Sequence, residues 1–273
     1  MKTEAPAFAG VENGVARHVN LPAVIGHRGA AAAAPENTLA GFRAARAMGC
    51  SWVEFDVRLT GDGGLVVCHD DRLERTTGGR GRISKLPLAA IREADAGGWF
   101  AARFAGERVP MLGEALALCR ELGLAANVEI KAERGRARHT AAAVGACFAR
   151  LAGGLPPILV SSFLESAIGE IAGCAPSFAR GMLFRKVPRD WRKIAERLGC
   201  ATINADHLHL TEPVARDIRA AGYPLLAYTV NDPARARKLF DWGITSVFSD
   251  APDIILAAAA PAAGIGAPPG AAF

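Results

Sequence analysis

The sequence lacks the signals that mark several special classes of protein. It has no Cys-x-x-Cys pair, no internal repeat, no polybasic cluster and no amphipathic segment suited to a lipid surface. No apolar run approaches the roughly 18 residues of a membrane-spanning helix, and residues 1–20 contain no apolar core of a signal peptide. We therefore expect neither a repeat protein nor a membrane-spanning one.

Cysteine and lysine are both sparse. The six cysteines are spread along the chain, several within apolar periodic stretches, and free thiols of this kind suit a reducing compartment. Only 6 of the 32 basic residues are lysine, and the 26 arginines are scattered rather than grouped on one segment. Because these positive charges are scattered, we expect no nucleic-acid partner in spite of the net charge of +5. The expected location is cytoplasmic.

The remaining pattern is that of an α/β protein. Its 273 residues, half of them hydrophobic, suit one large domain. Short apolar runs alternate with amphipathic stretches, such as the helix that Asn231-Asp232-Pro233 opens and Gly243 closes. The predicted strands are 23–29, 52–57, 126–131, 158–163, 178–184, 202–206, 225–230 and 245–249. Eight strands in βα alternation predict a TIM-like (β/α)8 barrel.

A ninth strand, 65–70, breaks the alternation. It follows the second strand across only Gly61-Asp62-Gly63-Gly64, a connection too short for a parallel crossover and typical of a hairpin. The returning strand would bring His69 and Asp70 to the C-terminal mouth of the barrel, where such barrels carry their active sites.

The predicted domain organisation follows from these elements. Residues 21–256 form the barrel, with 71–110 as an inserted cap subdomain that either shapes a substrate pocket or only braces the barrel. Residues 1–20 are expected to be a flexible segment, and the Ala/Pro/Gly-rich residues 257–273 a disordered tail.

Carboxylates cluster at two predicted strand ends. Glu54 and Asp56 stand two residues apart and face the same side of their strand, and Glu129 and Lys131 repeat that spacing. Three carboxylates at one mouth would repel each other unless a cation lies between them. Oxygen ligands suit Mg²⁺ or Ca²⁺, although each pair taken alone is equally typical of a salt bridge or a solvated strand end.

Two histidines belong to the same predicted mouth. His27 ends the first strand, and His69 lies on the hairpin strand that folds back. Cleavage of a phosphodiester requires a base for the nucleophile and an acid for the leaving alkoxide, and two imidazoles can supply both. Arg28 and Lys131 could neutralise the phosphate charge.

The motifs, taken together, resemble a known family. They occur in one order between residues 24 and 250: His27-Arg28-Gly29, Glu36-Asn37-Thr38, Glu54-Phe55-Asp56-Val57, His69-Asp70, Glu129-Ile130-Lys131, Ser161-Ser162-Phe163, Tyr228-Thr229-Val230-Asn231 and Ser249-Asp250. This series is similar to the glycerophosphodiester phosphodiesterases, especially their short cytoplasmic bacterial members. Ser249 stands where Thr is commoner, and Tyr228 where many relatives carry Trp.

The resemblance implies a TIM-type barrel with a cap and one divalent cation, Mg²⁺ or Ca²⁺. It implies the following site: His27 and His69 as acid and base, Glu54, Asp56 and Glu129 as metal ligands, and Arg28, Lys131, Asn37, Phe163 and Tyr228 as substrate-binding residues. Arg28 and Lys131 would contact the phosphate, Asn37 would orient the first loop, and Phe163 and Tyr228 would lie near the glycerol or belong to the core.

The expected reaction is hydrolysis of glycerophosphodiesters to sn-glycerol 3-phosphate and an alcohol. Two alternatives are a lysophospholipase D-like or sphingomyelinase D-like activity on lipids and a non-catalytic module that binds phosphate or a polyol. The retention of all three carboxylates and both histidines disfavours the second. The head group, the metal, the route of attack and the choice between monomer and homodimer are left open.

Overall fold

The computed structural model describes residues 11–12, 15–16 and 19–259. Most of the predicted N-terminal segment 1–20 and of the predicted tail 257–273 therefore lies outside the described residues. Within them, β1 (Val11–Glu12) pairs with β2 (Val15–Ala16) in a short antiparallel ladder, and α9 (Pro252–Ala259) continues past residue 257.

Eight parallel strands close into a barrel, which confirms the predicted fold. They are β3 (Val24–Gly26), β4 (Trp52–Leu59), β6 (Ala125–Ile130), β7 (Ile158–Ser162), β8 (Ala179–Phe184), β9 (Thr202–Asp206), β10 (Leu225–Tyr228) and β11 (Ser246–Ser249). Each pairs in parallel with its neighbour, and closure comes from β11 against β3 and β3 against β4. Since every strand runs the same way, all their carboxyl ends meet at one mouth.

Helices connect most of the strands. They are α1 (Leu39–Ala47), α3 (Leu112–Glu121), α4 (Ala137–Arg150), α5 (Glu165–Cys174), α6 (Trp191–Leu198), α7 (Glu212–Ala220) and α8 (Pro233–Asp241). Thr38 and Asp232 cap α1 and α8 by accepting hydrogen bonds from backbone N–H groups of the first turn. Among the described residues, no helix is both long and apolar enough to cross a membrane.

The first strand is shorter than predicted, and the difference forms the site. The sequence pattern predicts a strand to residue 29, but β3 ends at Gly26. Arg28 and Gly29 then adopt φ values of 50° and 92°. The left-handed conformation turns the chain out of the sheet, and a Cβ on Gly29 would lie 2.6 Å from the backbone of Gly41. His27 and Arg28 therefore stand on a tight turn at the mouth.

The predicted hairpin is also present. β5 (Leu65–Val67) pairs antiparallel with β4, with Val57 opposite Val67, and it extends the sheet beyond the barrel. The chain then enters the cap, which contains two single-turn 3₁₀ helices and the short α2 (Leu88–Arg92). The cap and the hairpin share a small apolar core, formed by Val66, Cys68, Leu73, Ile83, Ile91, Ala96 and Val109.

The main core lies between the strands and the helices, and a smaller cluster fills the barrel interior. The interior cluster includes Ile25, Trp52, Leu159, Leu226 and Phe248, all at most 5 % exposed. These apolar side chains close the barrel, while the polar residues Glu54, Asp56, Asn127 and Glu129 lie buried in it. Burying so many polar groups is costly, which points to a functional reason for them.

Candidate active site

A cavity of about 220 Å³ opens among these residues at the barrel mouth. Its lining consists of His27, Arg28, Glu54, His69, Asn127, Glu129, Lys131, Phe163, Leu183, Tyr228, Thr229 and Phe248. The structure thus brings both predicted histidines, two of the three predicted metal ligands and four of the five predicted substrate-binding residues to one cavity wall.

The three predicted metal ligands form a compact group. One carboxylate oxygen from each of Glu54, Asp56 and Glu129 lies within 4.8 Å of the others, and all three side chains are buried. The register aligns them, because Glu54 pairs with Asn127 and Asp56 with Glu129 across β4 and β6. Glu54 Oε1 has no hydrogen-bond partner among the described residues, as expected of an atom reserved for a ligand.

Burial and mutual repulsion act strongly on this group. Burial, together with Asp56 and Glu129, raises the pKa of Glu54 well above its usual value. Burial raises the pKa of Glu129 to about 7. For Asp56 the burial effect is outweighed by Lys131 and Arg28, which hold its pKa below the usual range. Such a set fits a divalent cation, whose charge would compensate the three carboxylates.

Asn37 holds one of these carboxylates in place. Its side-chain amide donates to Asp56 Oδ2 at 2.8 Å, and its carbonyl oxygen accepts from the backbone N–H of Asp56 at 3.1 Å. Asn37 is 4 % exposed and has a φ of 58°, an uncommon conformation that Asn tolerates better than most residues. The structure therefore places Asn37 against a predicted metal ligand.

Each predicted catalytic histidine is oriented by an aspartate. His27 Nδ1 lies 2.6 Å from Asp250 Oδ1, and His69 Nδ1 lies 2.7 Å from Asp70 Oδ1. With Nδ1 engaged, Nε2 is the ring nitrogen left for proton transfer. Burial lowers the pKa of His69, which favours the neutral imidazole that a base requires.

Neither aspartate was among the predicted site residues. Asp250 follows the last barrel strand and also accepts from Asn231 Nδ2 at 2.8 Å. Asp70 follows His69 directly. The sequence signal that could have identified both aspartates is a carboxylate at a predicted strand end, close to a candidate histidine. Asn127 was missed too, although its spacing of two from Glu129 places both on the same face of β6.

Two cations lie beside the carboxylates. Lys131 Nζ is 2.5 Å from Glu129 Oε1 and 3.4 Å from Asp56 Oδ1. Arg28 donates from NH1 to Glu36 Oε1, while its buried Nε has no hydrogen-bond partner among the described residues. Arg28 Nε also lies 3.4 Å from Asp56 Oδ2, so both cations pair with carboxylates of the group while they line the cavity.

Two aromatic side chains form another part of the wall, next to Lys131, whose Nζ lies 5.3 Å from the centroid of the Phe163 ring. Phe163 and Tyr228 meet edge to face, with ring centroids 5.8 Å apart and an interplanar angle of 85°. Phe163 is 40 % exposed, while the Tyr228 hydroxyl donates to the carbonyl of Phe184. The aromatic pair gives the cavity an apolar side, whereas much of the remaining lining is charged.

The family model for the glycerophosphoryl diester phosphodiesterase family matches residues 27–254. The chain belongs to this family. The span begins at the His27 turn, directly after β3, and ends in α9, so it covers the other seven barrel strands and the cap. The resemblance inferred from the motifs is confirmed, and the chain is a phosphoric diester hydrolase.

Individual relatives agree with this assignment. A phosphodiesterase of Oleispira antarctica, solved in complex with the product sn-glycerol 3-phosphate, is 40 % identical, with a TM-score of 0.84 over 87 % of this chain and 96 % of its own. An Agrobacterium tumefaciens glycerophosphodiester phosphodiesterase is 30 % identical, with a TM-score of 0.73 over 87 % and 100 %. A Caldanaerobacter subterraneus glycerophosphodiester phosphodiesterase is 29 % identical, covering 85 % of this chain and 96 % of its own.

Proposed function

We propose that the chain hydrolyses glycerophosphodiesters to sn-glycerol 3-phosphate and an alcohol. One observation carries the proposal: two aspartate-held histidines, His27 and His69, line a cavity next to a group of three buried carboxylates, two of which line it as well. Acid–base groups and a divalent-cation site in one small cavity are the requirements of phosphodiester cleavage.

The carboxylates Glu54, Asp56 and Glu129 would hold the divalent cation. When bound, it supplies a Lewis acid that neutralises charge on the phosphoryl group. Oxygen-only ligands favour Mg²⁺ or Ca²⁺ over a metal that prefers nitrogen or sulfur. Arg28 and Lys131 add two positive charges beside the same point, so the phosphate would be bound from several sides.

The histidines divide the proton transfers. One takes a proton from the nucleophile through Nε2, and the other gives a proton to the leaving alkoxide. The nucleophile is either water or the 2-hydroxyl of the glycerol itself. In the second route a cyclic phosphate forms first, and the two histidines then exchange roles during its hydrolysis. Phosphorus NMR under single-turnover conditions separates the routes, because only the second produces a transient cyclic phosphate.

The substrate class rests on the shape of the cavity and on the relatives. The Phe163 and Tyr228 rings offer an apolar wall against which the glycerol carbons can pack. The Oleispira antarctica relative binds sn-glycerol 3-phosphate as a product. A cavity of about 220 Å³ suits a small phosphodiester better than a lipid with an acyl chain.

A substrate panel tests this proposal. Glycerophosphocholine, glycerophosphoethanolamine and lysophosphatidylcholine are compared at equal concentration with purified protein and Mg²⁺ or Ca²⁺. We expect faster release of alcohol from the two water-soluble diesters than from the lipid. Faster cleavage of lysophosphatidylcholine would replace the proposed substrate class with a lipid one, and binding without turnover of any diester would indicate a binding module.

A further inference from the structure

Arg75, in the first part of the cap, lies between two carboxylates that belong to the site. Its guanidinium donates from Nε to Asp70 Oδ2 at 2.6 Å and from NH2 to Asp70 Oδ1 at 3.0 Å. It also donates from NH1 to Glu36 Oε2 and from NH2 to Glu36 Oε1, both at 2.8 Å. Two adjacent edges of one planar group are thus engaged in paired hydrogen bonds, a geometry that only arginine offers.

Each of these carboxylates holds a different functional side chain. Asp70 Oδ1 accepts from the Nδ1–H of His69 at 2.7 Å. Glu36 accepts from Arg28 NH1 at 2.8 Å. The contacts therefore run without a gap from the acid–base histidine through Arg75 to the phosphate-binding arginine. Since each link fixes the orientation of the next, Arg75 sets the relative position of two groups from different loops.

The other histidine has no such partner. Asp250, which holds His27, receives its second side-chain hydrogen bond from the neutral amide of Asn231. Of the two aspartates that hold the histidines, Asp70 is the one bound by a guanidinium, that of Arg75. This arginine comes from the cap rather than from a barrel strand.

An ordinary surface ion pair does not account for this arrangement. Exposed pairs contribute little, and the nearby Arg72–Glu74 pair is of that kind, with both partners about half exposed. Arg75 itself is 46 % exposed, but Glu36 is only 11 % exposed and Asp70 27 %. The carboxylate ends of the network are shielded, and both also contact cavity-lining residues.

We propose that Arg75 is a positioning residue of the active site, through which the cap aligns His69 and Arg28. This inference rests on the proposed roles of those two residues. It gives the cap a function in catalysis beyond bracing the barrel. Supporting partners of this kind change activity by about 10–100-fold when removed.

Steady-state kinetics on glycerophosphocholine distinguish the contact that runs from Arg75 through Asp70 to His69 from the contact that runs through Glu36 to Arg28. Arg75→Ala should lower kcat by about 10-fold or more and raise KM, since His69 and Arg28 both lose their orientation. Asp70→Asn changes the carboxylate that contacts His69 directly, so it should act mainly on kcat. Glu36→Gln changes the carboxylate that contacts Arg28 directly, so it should act mainly on KM. The matched control Arg72→Ala, three residues away in the same segment, should match the wild type.

Chemical rescue tests the guanidinium directly. Methylguanidinium added to Arg75→Ala should restore part of kcat, whereas methylammonium should not, because it lacks the planar fork. Arg75→Lys, which retains the charge, should recover less activity than methylguanidinium does. Wild-type kcat and KM in Arg75→Ala would overturn the proposal, and so would a loss of activity that methylguanidinium leaves unchanged.

A readout without substrate keeps this test independent of the proposed reaction. The ¹⁵N and ¹H resonances of the His69 ring report its hydrogen bond to Asp70, and they should shift in Arg75→Ala but not in Arg72→Ala. If the wild-type protein released no glycerol 3-phosphate while the His69 resonances shifted as expected, the proposed function would fail and the positioning contact would stand. Unchanged His69 resonances would overturn the positioning role whatever the activity.

Discussion

Asp250 and His27 are 223 residues apart in the chain, and their side chains meet at 2.6 Å. The contact exists because β11 pairs with β3 and closes the barrel, with Ser249 opposite Gly26. The first and last barrel strands therefore end side by side, and the residue after each one contributes to the same hydrogen bond. The pairing that closes the barrel thus also orients His27, the proposed catalytic histidine.

Replacing Asp250 should disturb this histidine without removing it. Asp250→Asn keeps the size of the side chain but loses the charge that fixes the His27 tautomer, so kcat should fall about 10–100-fold with little change in KM. The measurement is steady-state release of glycerol 3-phosphate. Asp253→Asn, an exposed position in the first turn of α9, is the matched control and should behave as the wild type.

His27 itself is expected to contribute more than its aspartate. His27→Ala should lower kcat by about 10²–10⁴, the usual contribution of general acid–base catalysis. His139→Ala in α4, outside the cavity lining, is the control for loss of an imidazole. Near-normal turnover of His27→Ala would remove His27 from the proton-transfer scheme.

Glu54 should contribute to activity by binding the cation rather than by transferring protons. Glu54→Gln keeps the shape of the side chain but loses one of three buried negative charges, so the cation concentration for half-maximal activity should rise. Raising Mg²⁺ or Ca²⁺ should then restore part of kcat. A loss of activity that no metal concentration reverses would contradict a ligand role.

Cation binding should depend on pH through Glu129. Burial raises the pKa of Glu129 to about 7, so below that pH the metal-free protein keeps a proton that the cation must displace. Affinity should therefore increase as pH rises through about 7, and binding should release protons. Calorimetry in two buffers of different ionisation enthalpy measures both effects. In Glu129→Gln the dependence in this range should weaken.

One arginine should matter for stability and not for the chemistry. Arg180 is 2 % exposed, and it donates to the carbonyls of Pro176, Phe178, Leu198 and Gly199. Arg180→Met would remove the donor that these four carbonyl groups share, so the free energy of unfolding should fall by about 2–4 kcal/mol. Thermal unfolding measures this loss, and kcat per folded molecule should stay at the wild-type value.

The sequence predicts the elements of this fold better than it predicts their contacts. Strand alternation and the short Gly61–Gly64 turn were sufficient for the barrel and for the hairpin that returns His69. The left-handed turn at Arg28 was missed, because a non-glycine residue with positive φ leaves no clear mark in sequence. The sequence also does not distinguish the buried Arg180, or the Arg75 that binds two carboxylates, from the other arginines. Both properties depend on how segments distant in the chain pack together.

Release of glycerol 3-phosphate by metal-stripped protein tests the central claim most directly. The protein is freed of metal with EDTA, given glycerophosphocholine, and assayed with glycerol 3-phosphate dehydrogenase before and after Mg²⁺ or Ca²⁺ is added. We predict no release without the cation and restored release with it, because the group formed by Glu54, Asp56 and Glu129 then lacks the Lewis acid that would neutralise charge on the phosphoryl group. Full activity in EDTA would contradict the proposed metal site.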